Sequence, residues 1–139
     1  MTRAVSVRRE AAISLLINGA LSFAFFAATF GLASRLLHWG APDSLALDFI
    51  PQSAAVALMS ALVPSLVARR HVPGIPLRPI LMRAFFLAAG GALLGSLLAL
   101  MTQPGGSIAS SAALILKLIY GGALGAIVTT IALRGLLRT

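Results

Sequence analysis

Residues 108–133 decide the fold: they read IASSAALILKLIYGGALGAIVTTIAL and carry a single charge, at Lys117. A helix of about 20 mostly apolar residues is long enough to cross the hydrocarbon core of a bilayer, which is about 30 Å thick. Three other stretches of the chain have the same character: 11–34, 45–68 and 80–102. We therefore predict an all-α polytopic membrane protein in which four transmembrane helices form one membrane domain, residues 1–139.

The composition supports this prediction and excludes several functions. Hydrophobic residues make up 59% of the chain and charged residues only 10%, whereas a soluble domain carries about 25% charged residues. The net charge of +8 lies at the ends of the apolar stretches instead of along one helix face, so we expect no nucleic-acid partner. The chain has no cysteine, and its polar residues form no set of nucleophile, base and orienting group. We expect no enzymatic activity, no metal and no cofactor.

The positions of the arginines predict the orientation. Under a four-helix topology nine arginines fall on the side of the two termini: Arg3, Arg8, Arg9, Arg69, Arg70, Arg78, Arg83, Arg134 and Arg138. Only Arg35 falls in a connection on the other side. Because Lys and Arg accumulate in cytoplasmic loops, we predict cytoplasmic termini, with anionic lipids at that face. The excess of arginine over lysine and the many alanines are typical of a bacterial protein, which would place the chain in the inner membrane.

Helices two and four align without gaps at a shift of 69 residues, which places Asp48 over Lys117 and Ser60 over Thr129. Two tandem helical hairpins would then be parallel repeats about an axis normal to the membrane. The alternative is that any two helices rich in alanine and leucine align this well. Both interpretations stay open at the level of sequence.

Lys117 lies well inside the last apolar stretch, and a lysine there costs at least ~2.5 kcal/mol on insertion scales. Three interpretations are open: an intramembrane ion pair with Asp48, a side chain that reaches the headgroups, or an ion or substrate site. Lys117, Gly121 and Gly125 follow one another at four-residue steps, so they share one helix face. Small residues mark the faces on which membrane helices approach closely, which favours the ion pair.

Three other polar residues could join a cluster around this pair. Asn18 lies deep in helix one and needs a hydrogen-bonding partner in lipid, either in a neighbouring helix or along a pore. Gln52 follows Asp48 by one helical turn, and Tyr120 is close enough to Lys117 for its hydroxyl to contribute. Trp39, in the first connection, is expected in an aromatic belt at the membrane surface.

The motifs DFIPQ at residues 48–52, ALVP at 61–64 and LKLIYG at 116–121 resemble a group of small four-helix inner-membrane proteins of bacteria. The resemblance covers helices two and four. It implies the four-helix fold and no particular activity, because none is known for the group.

Two functions remain after these exclusions. We expect a structural or accessory subunit of a homo-oligomer or larger membrane complex, because small residues allow close helix contacts and little chain lies outside the predicted helices. The alternative is a small oligomeric transporter or channel for an ion or small solute. Its path would be lined by Asn18, Asp48, Gln52 and Lys117.

Overall fold

Four long helices dominate the computed structural model, which describes residues 5–138. They are α1 (Val7–Phe30), α2 (Phe49–His71), α3 (Leu77–Thr102) and α4 (Ser110–Leu137). Each is long and apolar enough to cross a membrane, so the predicted all-α fold with four transmembrane helices is confirmed. Arg3, which contributed to the predicted orientation, lies outside the described residues.

Several helix boundaries differ from the prediction by three or four residues, about one turn. Helix α1 begins at Val7 instead of residue 11 because the Ser6 hydroxyl caps it, accepting a hydrogen bond from the Arg9 N–H at 3.4 Å. It ends at Phe30 because Gly31 has φ of 75°, a conformation outside the helix. Helix α2 begins at Phe49 instead of residue 45 because the preceding residues form consecutive turns.

The end of the bundle away from the termini carries a feature that the sequence did not predict. Strands β1 (Leu36–His38) and β2 (Ser107–Ala109) pair in antiparallel register, with Leu37 opposite Ile108. This ribbon joins the α1–α2 connection to the α3–α4 connection. The turns at residues 39–48 then fold back onto the helices, where Leu45 is fully buried.

The prediction that Trp39 lies in an aromatic belt at the membrane surface is wrong. Its side chain is only 9% exposed and stacks on the Phe49 ring, with centroids 6.2 Å apart and planes 9° from parallel. The reason is the inward fold of residues 39–48, which carries the indole into the core.

Helices α2 and α4 lie side by side at the centre of the bundle, α1 packs mainly on α4, and α3 packs mainly on α2. The contact between α2 and α3 depends on glycine. A Cβ atom at Gly91 would lie 2.6 Å from the Ser53 carbonyl oxygen, and one at Gly95 would collide with the backbone at Phe49. The two backbones therefore approach as closely as small residues permit.

The same spacing of 69 residues recurs in the contacts between the central helices. Asp48 lies against Lys117, and the Thr129 hydroxyl donates a hydrogen bond to the Ser60 carbonyl oxygen at 2.9 Å. Helices α2 and α4 therefore run in the same direction. The arrangement is consistent with two tandem hairpins in which the first helix of each packs on the second helix of the other.

Candidate functional site

The structure brings Asp48 and Lys117 together at the end of the bundle that carries the β ribbon. The Lys117 Nζ atom lies 3.2 Å from Asp48 Oδ2 and 3.5 Å from the centroid of the Phe49 ring. The side chain of Lys117 is 2% exposed and that of Asp48 28%. Burial in the interior, an ion pair and a cation–π contact together hold the ammonium inside the bundle.

The position of each charge follows from its helix. Asp48 directly precedes α2, so its carboxylate lies at the positive end of the α2 dipole. Lys117 lies on the face of α4 that packs against the other helices, in line with Gly121 and Gly125. These glycines leave room for side chains of α1: a Cβ atom at Gly121 would collide with Ser22, and one at Gly125 with Asn18.

Gln52 ties three helices together beside the ion pair. Its Nε2 atom donates to the Ser22 hydroxyl and to the Lys117 carbonyl oxygen, both at 3.2 Å. A carbonyl oxygen only accepts hydrogen bonds, so the nitrogen of the amide must face Lys117. The Oε1 atom of Gln52 is buried and has no hydrogen-bond partner among residues 5–138.

Tyr120 does not join the ion pair through its hydroxyl, as the sequence had suggested. The hydroxyl bonds instead to the Ser53 hydroxyl. The ring packs edge-on against Phe49 with centroids 5.1 Å apart and planes 85° from parallel. Tyr120 therefore supports the aromatic ring beneath Lys117. It faces the next turn of α2 because it lies three residues beyond Lys117 on α4.

Asn18 belongs to a second polar cluster, deeper in the bundle. Its Nδ2 atom lies 2.8 Å from the Ser14 carbonyl oxygen and 2.9 Å from the Ser60 hydroxyl. Ser60 is twelve residues beyond Asp48, roughly 18 Å along the helix axis. Asn18 thus links α1 to α2, while Thr129 links α4 to the same residue of α2.

A groove of about 480 Å³ between α1 and α2 connects these features. The two helices meet at Ser14 and Ser60, and the groove extends from Asn18 and Met59 towards Asp48. One end of the groove is formed by Asp48, Gln52 and Lys117. Its walls are mostly apolar: Leu21, Phe25, Phe26, Pro51, Ala55, Val56 and Met59, with Asn18, Ser22 and Thr29 between them. The groove is open along its side, as the exposure of two of its lining residues shows: Phe25 is 67% exposed and Met59 47%.

Asp43 is a structural residue that the sequence reading missed. Its carboxylate accepts hydrogen bonds from the Arg35 guanidinium and from the His38 backbone N–H, both at 2.9 Å. The His38 backbone hydrogen bond, followed by the Arg35 side chain, lowers the pKa of Asp43 from 3.8 to about 2. This contact fixes the turns that lead into Asp48. The only sequence signal was an aspartate after proline in a connection.

The chemistry available in the groove is that of binding: one neutral ion pair, one amide with a free acceptor and an apolar wall. Comparison with known protein families, curated proteins and solved structures finds no match to this chain.

Proposed function

We propose that this chain is a multi-pass protein of a bacterial inner membrane, with both termini cytoplasmic, and that it is a structural or accessory subunit of a homo-oligomer or larger membrane complex. The observation that carries the proposal is the hydrogen bonding between helices in the interior. Asn18 on α1 and Thr129 on α4 each donate a hydrogen bond to Ser60 on α2, so the polar groups at the centre stabilise the bundle itself. The outer face of α3 is apolar, with Phe85 and Phe86 both exposed, and could contact lipid or another subunit.

The experiment is native mass spectrometry of the protein extracted in a mild detergent. We expect a defined homo-oligomer or a complex with a constant partner. A bare monomer in every detergent that preserves the fold would contradict the proposal.

Reporter fusions test the orientation separately. Gly105 lies between α3 and α4 and Gly74 between α2 and α3, at opposite ends of the bundle. A periplasmic signal at Gly105 and a cytoplasmic signal at Gly74 are expected from the distribution of arginine. The reverse pattern would overturn the orientation and leave the fold unchanged.

Anionic lipids at the cytoplasmic face are part of the same proposal. A recess at the α2–α3 junction is lined by Arg69 and Arg70 together with Leu66, Gly74 and Ile75. Each basic residue near an anionic membrane surface contributes about 1 kcal/mol of attraction. The amount of anionic lipid retained by the detergent-extracted protein, for Arg70→Gln against the parent, measures this contribution.

The groove favours a second candidate, a small oligomeric transporter or channel for an ion or small solute, because charged and amide groups face a space open to the membrane. Flux in proteoliposomes that Lys117→Met abolishes would support it. A stable partner complex without flux would support the accessory subunit instead.

A further inference from the structure

The groove between α1 and α2 is about as long as one leaflet of a bilayer is thick. Its lining runs from Asp48, which directly precedes α2, to Met59, eleven residues or about 16 Å along a helix. Half of a hydrocarbon core of about 30 Å is close to this length. A transmembrane helix of a partner would need a contact surface across both leaflets, whereas an acyl chain needs one. The volume of about 480 Å³ also lies in the range of small-molecule sites.

The polar end of the groove lies at the depth of lipid headgroups. Lys117 is seventeen residues from Arg134 in α4, or about 25 Å along the helix. With Arg134 at one surface, Lys117 falls within a few ångströms of the other surface of a core about 30 Å thick. A chain in the groove would therefore have its headgroup beside Asp48, Gln52 and Lys117.

The groups at this end match a zwitterion. Lys117 is almost fully buried, and its ammonium carries three hydrogens. Its contact with Asp48 is an ion pair at 3.2 Å, and Nζ makes no well-aligned hydrogen bond within residues 5–138. The Oε1 atom of Gln52 is a buried acceptor without a donor. A ligand that supplies both an anionic oxygen and an N–H donor satisfies both residues, while its own charges complement Lys117 and Asp48.

We propose that the α1–α2 groove binds one phospholipid with a zwitterionic headgroup that carries a primary amine, of the phosphatidylethanolamine class. The phosphate lies beside Lys117, and the amine donates to Asp48 and to Gln52 Oε1. One acyl chain follows the apolar wall towards Met59. The lipid belongs to the leaflet on the side of the β ribbon, away from the termini. This site goes beyond the proposed function, because either a subunit or a transporter could contain it.

The test is native mass spectrometry of the full chain in detergent supplemented with phosphatidylethanolamine and phosphatidylglycerol of identical acyl chains. We expect one retained phosphatidylethanolamine per chain, preferred over phosphatidylglycerol by roughly tenfold, the effect of one charge-assisted hydrogen bond. Asp48→Asn should remove the preference. Equal retention of the two lipids by the parent protein would overturn the headgroup assignment.

A second variant tests the groove without touching the charged residues. Ala55 lines the groove and is exposed, so Ala55→Phe should fill the space for the acyl chain and lower lipid retention about tenfold. Ala89→Phe is the matched control, because Ala89 is an exposed alanine of α3 outside the groove lining. Undiminished retention in Ala55→Phe, or an equal loss in both variants, would overturn the site. A protein chain retained in place of the lipid would do the same.

Discussion

A double-mutant cycle on Asp48 and Lys117 tests the energetics of the charged pair. Removing one partner of a buried ion pair costs about 3–5 kcal/mol because the other charge is left uncompensated. The two single changes should differ, since the Lys117 side chain is 2% exposed and that of Asp48 28%. Asp48→Asn leaves the deeply buried ammonium without its partner. We expect the free energy of unfolding to fall by about 3 kcal/mol, the lower end of that range, because the Phe49 ring beneath Nζ still stabilises the charge.

Lys117→Met keeps the length of the side chain and leaves a carboxylate that is partly exposed and lies at the α2 N-terminus. We expect a smaller loss, about 1–2 kcal/mol. The free energy of unfolding lost in the double variant should be smaller than the sum of the two single losses by at least about 1 kcal/mol. The measurement is the free energy of unfolding in mixed micelles titrated with a denaturing detergent.

The control cycle combines Asp48→Asn with Thr129→Val. Thr129 bonds to Ser60, twelve residues along α2 from Asp48, so these two losses should add to within about 0.5 kcal/mol. If the Asp48–Lys117 cycle is equally additive, the energetic coupling inferred from the 3.2 Å contact is refuted.

Three further predictions concern the rest of the bundle. Gly91→Ala should destabilise the protein by about 1–3 kcal/mol, since its Cβ would lie 2.6 Å from the Ser53 carbonyl oxygen. Gly90→Ala is the control, because Gly90 has open space around it. Equal losses of unfolding free energy in the two variants would contradict the close packing of α2 and α3. Because the pKa of Asp43 is lowered to about 2 from 3.8, its contribution is fully present above pH 3.8 and is lost as the pH falls towards 2. The unfolding temperature of the parent should therefore fall between pH 5 and pH 2, and it should fall less in Asp43→Asn. Identical pH profiles of the two proteins would contradict a stabilising role for the Asp43 carboxylate. Tyr120→Phe should cost about 1 kcal/mol through its hydrogen bond to Ser53, without changing the lipid preference; a changed preference would place the hydroxyl in the site.

The four helices and the partner of Lys117 could be predicted from the sequence, because they depend on the length of apolar stretches and on the free-energy cost of a charge in lipid. An apolar stretch of 20 residues has few alternatives to a spanning helix, and a lysine inside one needs a partner. The β ribbon was missed because strands of three residues give no readable alternation. Trp39 was misplaced because its burial depends on how residues 39–48 fold back, a tertiary effect. The partner of Tyr120 depends on the rotation of α4 against α2, which spacing along one helix does not define.

A repeat of 69 residues would give the charged pair a physical reason beyond its own stability. When two similar hairpins pack about a two-fold axis, equivalent residues of their central helices meet near that axis, as Ser60 and Thr129 do. Identical charged residues would repel one another there. The repulsion would be strong because lipid has a low dielectric constant and offers few groups that could compensate the charges. A chain that carries both hairpins can place different residues at the two equivalent positions, and here they are an aspartate and a lysine. The charge difference turns repulsion into attraction, and it also gives one side of the bundle, at the α1–α2 groove, a polar end with both signs of charge.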